Sequence, residues 1–394
     1  MPRRASLVFS ALFAATFFSL AAHVRWWSLP AQELPNWRSA HLASDLAGTT
    51  TTITSNISVH LVLATLKADD ISWTSRLTIP NLRVIRYVSD DPSAPHRPPV
   101  PRKGREALIY HTYFHDYYDD LPDLSIMIHA EEKPWHVEGV LQQSMPFALD
   151  RLDLDRARAR GYANLRVSWQ NACPAWLDTT KTPETADKRE EPYMREAFYA
   201  NFGPTVQVPR ILAGPCCSQF AVSREAVRRN PRSQYARCRD WLVDTELSDY
   251  IAGRTWEHMF PWLFRGAATD CPGETETYCA MYGICFDESD GGPARYNRLW
   301  QEKRDLMEAT EVLREILDPQ EGVKARERIA EIDALLREEI IVALERGQDA
   351  TQRSLAYENL FDTDETQQRP AQQYTQAKLG RFLRATQNEE ETHE

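Results

Sequence analysis

The sequence predicts an α/β fold, with a mostly parallel sheet flanked by helices, an N-terminal membrane segment before it and a helical hairpin after it. Three observations lead there. Mainly apolar runs of strand length, at 59–66, 82–88 and 124–128, each end in a burst of polar residues. Between the second and the third, Ala107, Tyr110, Phe114, Tyr117 and Leu121 recur at three- and four-residue intervals and mark one face of a helix that Pro122 ends. Such runs suit strands covered on both faces, and strand, helix, strand in this rhythm implies parallel pairing through crossovers.

Taken in order, residues 1–24 open with Arg3 and Arg4 and continue as an uncharged apolar run, of which 7–24 are the part expected in a membrane. Two readings fit. With the arginines held in the cytosol, the run is an uncut anchor and the chain a single-pass type II protein of the Golgi or endoplasmic reticulum. With the small residues Ser19, Ala21 and Ala22 as a cleavage region, it is a signal peptide. Either way the remainder enters the secretory lumen, where the single sequon at Asn56 is a glycosylation site. The seven cysteines would there form up to three disulfides and leave one thiol, while the lack of any close Cys-x2-4-Cys pair argues against structural zinc.

Residues 25–58 mix Pro, Ser, Thr and Gly without a period and read as a stem. The α/β domain is expected over 59–290. It includes further strand candidates at 163–169 and at 218–222, the latter passing into a helix capped by Ser223. At 291–346, Leu299, Leu306, Leu313 and Leu317 give one amphipathic helix, Asp318-Pro319 interrupts it, and Ile329, Ile332, Leu336, Ile340 and Leu344 give a second. This hairpin packs on the domain or, through 296–346, pairs with a helical partner as a short coiled coil. The Gln/Glu/Thr/Asp-rich stretch 347–394 is expected to be disordered.

A net charge of −11 gives no basic footprint for nucleic acid, which is set aside as a partner. The polar bursts stand where open parallel sheets bind ligands, beyond the carboxyl ends of their strands. Asp69 and Asp70 follow the first strand and Asp90 and Asp91 the second. His129, Glu131, Lys133, Trp135 and His136 follow the third. Carboxylates there can hold a cation, bond a ribose or act as acid or base, and they can equally mark solvated turns. His111 and His115 lie one helical turn apart, a metal-ligand spacing that packing residues also show, and together with Glu131 they leave a hydrolase as a third reading. In 248–264, Trp256, Phe260, Trp262 and Phe264 suit a core or a sugar-binding wall around Glu257. Neither a Gly-x-Ser-x-Gly, a P-loop nor a Gly-x-Gly-x-x-Gly motif is present.

The phrases GREALIYHTYFHDYYDDLPD, HAEEKPWH, GYANLRVSW, CCSQFAVSREAVRRNPRSQYARCRDWLVDT, WEHMFPWLF and YCAMYGIC together resemble the mainly fungal family of domain of unknown function 3431, over about 61–285. More faintly, SQFAVSREAV followed by WEHMFPWLF is similar to luminal type II glycosyltransferases of the GT-A class, whose fold is Rossmann-like. That second resemblance implies transfer of a sugar from a nucleotide sugar donor to a hydroxyl on a carbohydrate or glycoprotein acceptor. It makes Glu257 the base, with His129 and Glu131 beside it. It sets Asp69, Asp70, Asp90 and Asp91 near the nucleoside. Ser218, Gln219 and Arg224 become acceptor neighbours, and the stacking and proton-transfer capacity of Trp135 and His136 and the aromatic setting of Trp256 add these three as substrate-binding candidates. The class usually carries Asp-x-Asp after its central strand. Here the sequence is His-Ala-Glu-Glu, which argues against manganese and turns attention to Lys133 or Arg254 for the departing diphosphate. The alternative is a non-catalytic luminal binding or scaffold protein with a degenerate domain of this kind.

Overall fold

A computed structural model describes residues 55–137, 139–312 and 319–366. The apolar run at 7–24, nearly all of the stem and the last part of the tail lie outside the described residues, and among those described no helix is long and apolar enough to cross a membrane.

The described chain is a mixed α/β structure around a five-stranded sheet. Its strands are β1 (Val59–Thr65), β2 (Leu82–Val88), β3 (Leu124–His129), β4 (Tyr162–Asn164) and β7 (Phe220–Ser223), in the order β2-β1-β3-β7-β4. β1 pairs in parallel with both β2 and β3, with Thr65 opposite Val88 and Ala64 opposite His129. β7 runs against β3 and β4, so four strands point one way and β7 alone points back. A separate small ladder joins β5 (Leu177–Asp178) to β6 (Ile211–Leu212).

The helices are α1 (Arg105–Asp116), α2 (Met145–Arg151), α3 (Leu154–Arg160), α4 (Met194–Phe202), α5 (Arg224–Arg228), α6 (Arg232–Asp244), α7 (Asp249–Arg265), α8 (Glu274–Tyr282), α9 (Gly292–Val312), α10 (Pro319–Arg346) and α11 (Ala350–Thr366). α1 is the crossover from β2 to β3. Its apolar face fills the core, and it ends at Asp116 rather than running on to Leu121, which is buried all the same. α7 supplies the opposing wall. Ala252, Trp256, Met259, Phe260, Leu263 and Phe264 recur on one side of it and are all buried, so the aromatic stretch is core and not a sugar-binding wall. His111 is wedged there too, its ring 4.0 Å from that of Trp256, and burial depresses its pKa to about 3. His115 faces Asp116 and Arg239 at the surface, so the two histidines do not converge.

Ser223 caps α5, its hydroxyl accepting the N–H of Ala226. α9 and α10 lie alongside each other through ion pairs of Arg295 with Glu339, Lys303 with Asp333 and Arg328 with Glu302. The pair also touches the domain, where Asn297 accepts from the N–H of Val140 and the Gln142 amide donates to Tyr296. The tail departs from expectation over Ala350–Thr366, which is helical. α11 packs on α8, buries Leu360 and ties Arg353 to Asp153 at 2.7 Å. Its sequence lacks an obvious apolar stripe, so composition concealed a helix held by tertiary contacts.

Three disulfides are formed, Cys173–Cys271, Cys216–Cys217 and Cys279–Cys285, and Cys238 is a buried thiol. Next to Cys271 in the chain, Asp270 is nearly inaccessible and takes 2.8 Å contact from Arg160 as well as an ion pair from Arg265. Removing one partner of a buried pair strands the other's charge. Asp270→Ala is expected to cost about 3–5 kcal/mol in denaturant unfolding, well beyond the effect of an exposed Asp119→Ala.

Candidate functional site

The sheet brings its chemistry to one edge. β1, β2 and β3 deliver their carboxyl ends there, and the reversed β7 delivers its amino end. The pairing of Met127 with Phe220 carries Gln219 and Ser218 toward the level of Ile128 and His129. Gln219 bonds on both sides, accepting the His129 N–H on its side chain at 3.4 Å and the Leu165 N–H on its carbonyl at 2.8 Å. α1 runs back against the strands, so its first turn also opens at this edge. Gly104 precedes it with φ 76°, a value that suits glycine, and Glu106 sits in that turn.

Glu257 reaches the edge from α7. Its Oε2 accepts the backbone N–H of Cys217 at 3.3 Å. Behind it, the buried carboxylate of Glu190 receives Arg254 at 2.8 and 2.9 Å and His258 Nε2 at 2.9 Å, which fixes the polar side of the helix. Burial is the main influence on Glu257 and raises its pKa, against the pull of Arg254 and with help from Glu106. Glu106 is raised by the same cause, and the nearby Ser218 hydroxyl offsets part of that. Its Oε2 lies 3.8 Å from His129 Nε2, beyond hydrogen-bond reach.

His129 and His136 are paired edge to face, 5.0 Å between ring centres. Burial lowers the pKa of each, most strongly for His136, where His129 and Arg166 add to it. Both rings are therefore neutral near pH 7. Trp135 lies 4.2 Å from His136, and the Arg166 guanidinium covers Trp135 at 5.2 Å and contacts the sulfur of Cys216 at 2.6 Å. The buried atoms His129 Nε2, His136 Nδ1 and Gln219 Nε2 make no hydrogen bond within the protein. Leaving such groups dry and unbonded is costly, and three of them stand together at this edge.

Of the residues singled out from sequence, the structure brings together His129, Glu257, Trp135, His136, Ser218 and Gln219. Glu131 is exposed at the lip, near enough to His129 for its charge to offset part of the lowering that burial causes there. Lys133 is exposed on the same loop. Other candidates stand elsewhere. Asp69 accepts the N–H of Leu66, Asp70 that of Ser72 and Asp91 that of Ser93, so these three close turns after their strands, while Asp90 accepts the N–H of Lys67 and joins the loop after β2 to the one after β1. The loop after β1 does meet the one after β3, through the Trp73 indole donating to the Ala130 carbonyl at 2.8 Å and through Arg76 with Glu132. Arg224 bonds the Leu121 carbonyl and pairs with Asp123 at the amino end of β3, which is the far edge of the sheet. Trp256 is wholly in the core. Arg254 has its guanidinium committed to Glu190.

Glu106, Arg166, Cys216 and Cys217 join the site without having been singled out. A signal for Glu106 existed. A crossover helix starts where the parallel strands end, so an acid in its first turn belongs to that edge.

An ionised Glu257 is disfavoured by the fold. A raised folded pKa gives stability that is present below the unfolded pKa and lost as pH rises through the folded value. Glu257→Gln, which cannot ionise, is thus expected to melt at a higher temperature than the parent at pH 8 and at nearly the same temperature at pH 4, as followed by calorimetry.

No curated protein and no solved structure matches this chain. The family model described as protein of unknown function (DUF3431) matches residues 61–280, more than half of the chain, and the chain belongs to that family.

Proposed function

We propose that this domain transfers a glycosyl group from a nucleotide sugar to a hydroxyl acceptor, with inversion, using Glu257 as the base. The observation that carries the reading is the place of the polar cluster. The chain leaves β1 to build β2 on one side and returns to build β3 on the other, which makes the gap between β1 and β3 a topological switch point. Nucleotides bind beyond the carboxyl ends at such points. Trp73 and Ala130 bridge the two loops there, and His129 lies at the end of β3. The donor would occupy that gap and the acceptor the neighbouring space toward β7.

In the step itself, the acceptor oxygen attacks the anomeric carbon as its proton passes to Glu257. The bond from that carbon to the diphosphate breaks, and the electron pair leaves with the diphosphate. The raised proton affinity of Glu257 makes it a stronger base once ionised. Neutral His129 and His136 can donate hydrogen bonds to donor or acceptor, and exposed Lys133 can approach the departing charge. Metal is not required for this balance. The three disulfides support an oxidising compartment, consistent with 7–24 as a membrane anchor and a luminal domain.

A second reading, a binding or scaffold domain without catalysis, draws support from Asp69, Asp70, Asp90 and Asp91. These carboxylates are occupied by backbone N–H groups, three within their own turns and Asp90 across to the loop after β1.

Thermal unfolding of the full chain against nucleoside diphosphates, with and without manganese, separates the two. An enzyme is expected to gain about 2.7 kcal/mol from one nucleotide at a hundred times its dissociation constant. No response to any of them favours the scaffold. Once a donor is found, Glu257→Gln is expected to lower the transfer rate about 100-fold or more while keeping the nucleotide-dependent shift. The parent's rate should rise with pH through the raised pKa of Glu257, and retained transfer by the variant excludes it as the base.

A further inference from the structure

Cys216 and Cys217 have no part in the transfer just described. Yet their sulfurs and a carboxylate oxygen of Glu257 all lie within 4.8 Å of one another. The Arg166 guanidinium touches both sulfurs, at 2.6 and 3.7 Å, and a neighbouring cation favours thiolate over thiol. A second observation points the same way. Gln219, 1% exposed, leaves its amide nitrogen unbonded beside His129, and the ring nitrogens His129 Nε2 and His136 Nδ1 are likewise unbonded. His136 packs against Trp135, which the residue that contacts both sulfurs covers.

The segment is held independently of the sulfur–sulfur bond. Asn164 donates to the carbonyls of Pro215 and Cys216 at 2.6 and 3.4 Å, the Leu165 N–H bonds the Gln219 carbonyl, and the Cys217 N–H bonds Glu257. Ser218, outside the ring that the disulfide closes, keeps a φ of 49°, a left-handed conformation that non-glycine residues hold only when their surroundings enforce it. Breaking the disulfide therefore leaves both side chains beside Glu257.

We propose that reduction of Cys216–Cys217 opens a binding site for a thiophilic metal cation, with the two sulfurs and the Glu257 carboxylate as ligands. A dithiol reductant supplies two electrons and two protons. Its own sulfurs join in a disulfide, the Cys216–Cys217 bond breaks, and two thiols result. The cation then displaces both thiol protons to solvent. Adjacent cysteines span too little backbone for an undistorted tetrahedral zinc site, so the preference is for a soft ion that accepts fewer ligands. Occupancy of the site takes Glu257 out of service as a base.

The test uses the full chain and cadmium, and it reads binding rather than turnover. Oxidised and dithiol-treated protein, freed of reductant, are titrated while the sulfur-to-cadmium charge-transfer absorption is followed. The reduced chain is expected to bind one equivalent that the oxidised chain does not, a comparison that needs no variant. Treated identically, Cys216→Ser/Cys217→Ser should lose that equivalent, which separates it from thiols released at the other two disulfides. Glu257→Gln should weaken it about tenfold or more, a loss typical even of outer partners of a metal. Equal binding by oxidised and reduced chains, undiminished binding by the serine variant, or an unchanged affinity in Glu257→Gln each overturns the assignment.

Discussion

The reversed pairing of β7 with β3 is the constraint on which the rest of this structure turns. Parallel strands bring only their carboxyl ends to an edge. One antiparallel strand among them brings an amino end as well, and with it the segment before that strand. That is how Cys217, Ser218 and Gln219 come to lie beside His129, although about ninety residues separate them in sequence. Backbone ladder bonds set the placement, and side chains only refine it.

The second condition is a helix with two unlike faces. α7 buries Trp256, Phe260 and Phe264 against α1 and β7, and the packing leaves Glu257 and Arg254 no choice but to face the rim and Glu190. Large aromatic rings on the buried side fix the rotation of the helix, so the position of the carboxylate is paid for by the core. Glu190, 0% exposed, completes the arrangement. The hydrogen bonds from His258 and Arg254 outweigh the desolvation it suffers, and it remains ionised.

Much of the sheet was legible in the sequence because its strands are continuously apolar and α1 has a regular stripe. Ser223 announced α5 through its cap. The shorter ladder at β4 was less so: 163–169 reads as a strand, yet only Tyr162–Asn164 pair, and the chain then turns away as Arg166 moves to the sulfurs of Cys216 and Cys217. At the site, His129 and Glu257 could be picked out because polar groups in apolar surroundings are conspicuous. The acid pairs after β1 and β2 were equally conspicuous, but a carboxylate two or three residues from a free N–H bonds to its own turn, and sequence cannot tell that outcome from convergence on a ligand. Likeness of phrase points to Arg224 and the aromatic pattern to Trp256, and neither carries information on which edge or face a side chain meets.

The clasp made by α11 ties the end of the described chain to the α/β body. Arg353 reaches Asp153, Arg156 donates to the Ala280 and Arg353 carbonyls, and Leu360 is covered. Cutting after residue 290 would bare the surfaces on which α9 and α11 rest, including the pocket of Tyr296. Residues 350–366 accordingly belong to the body of the protein as a brace rather than an appendage.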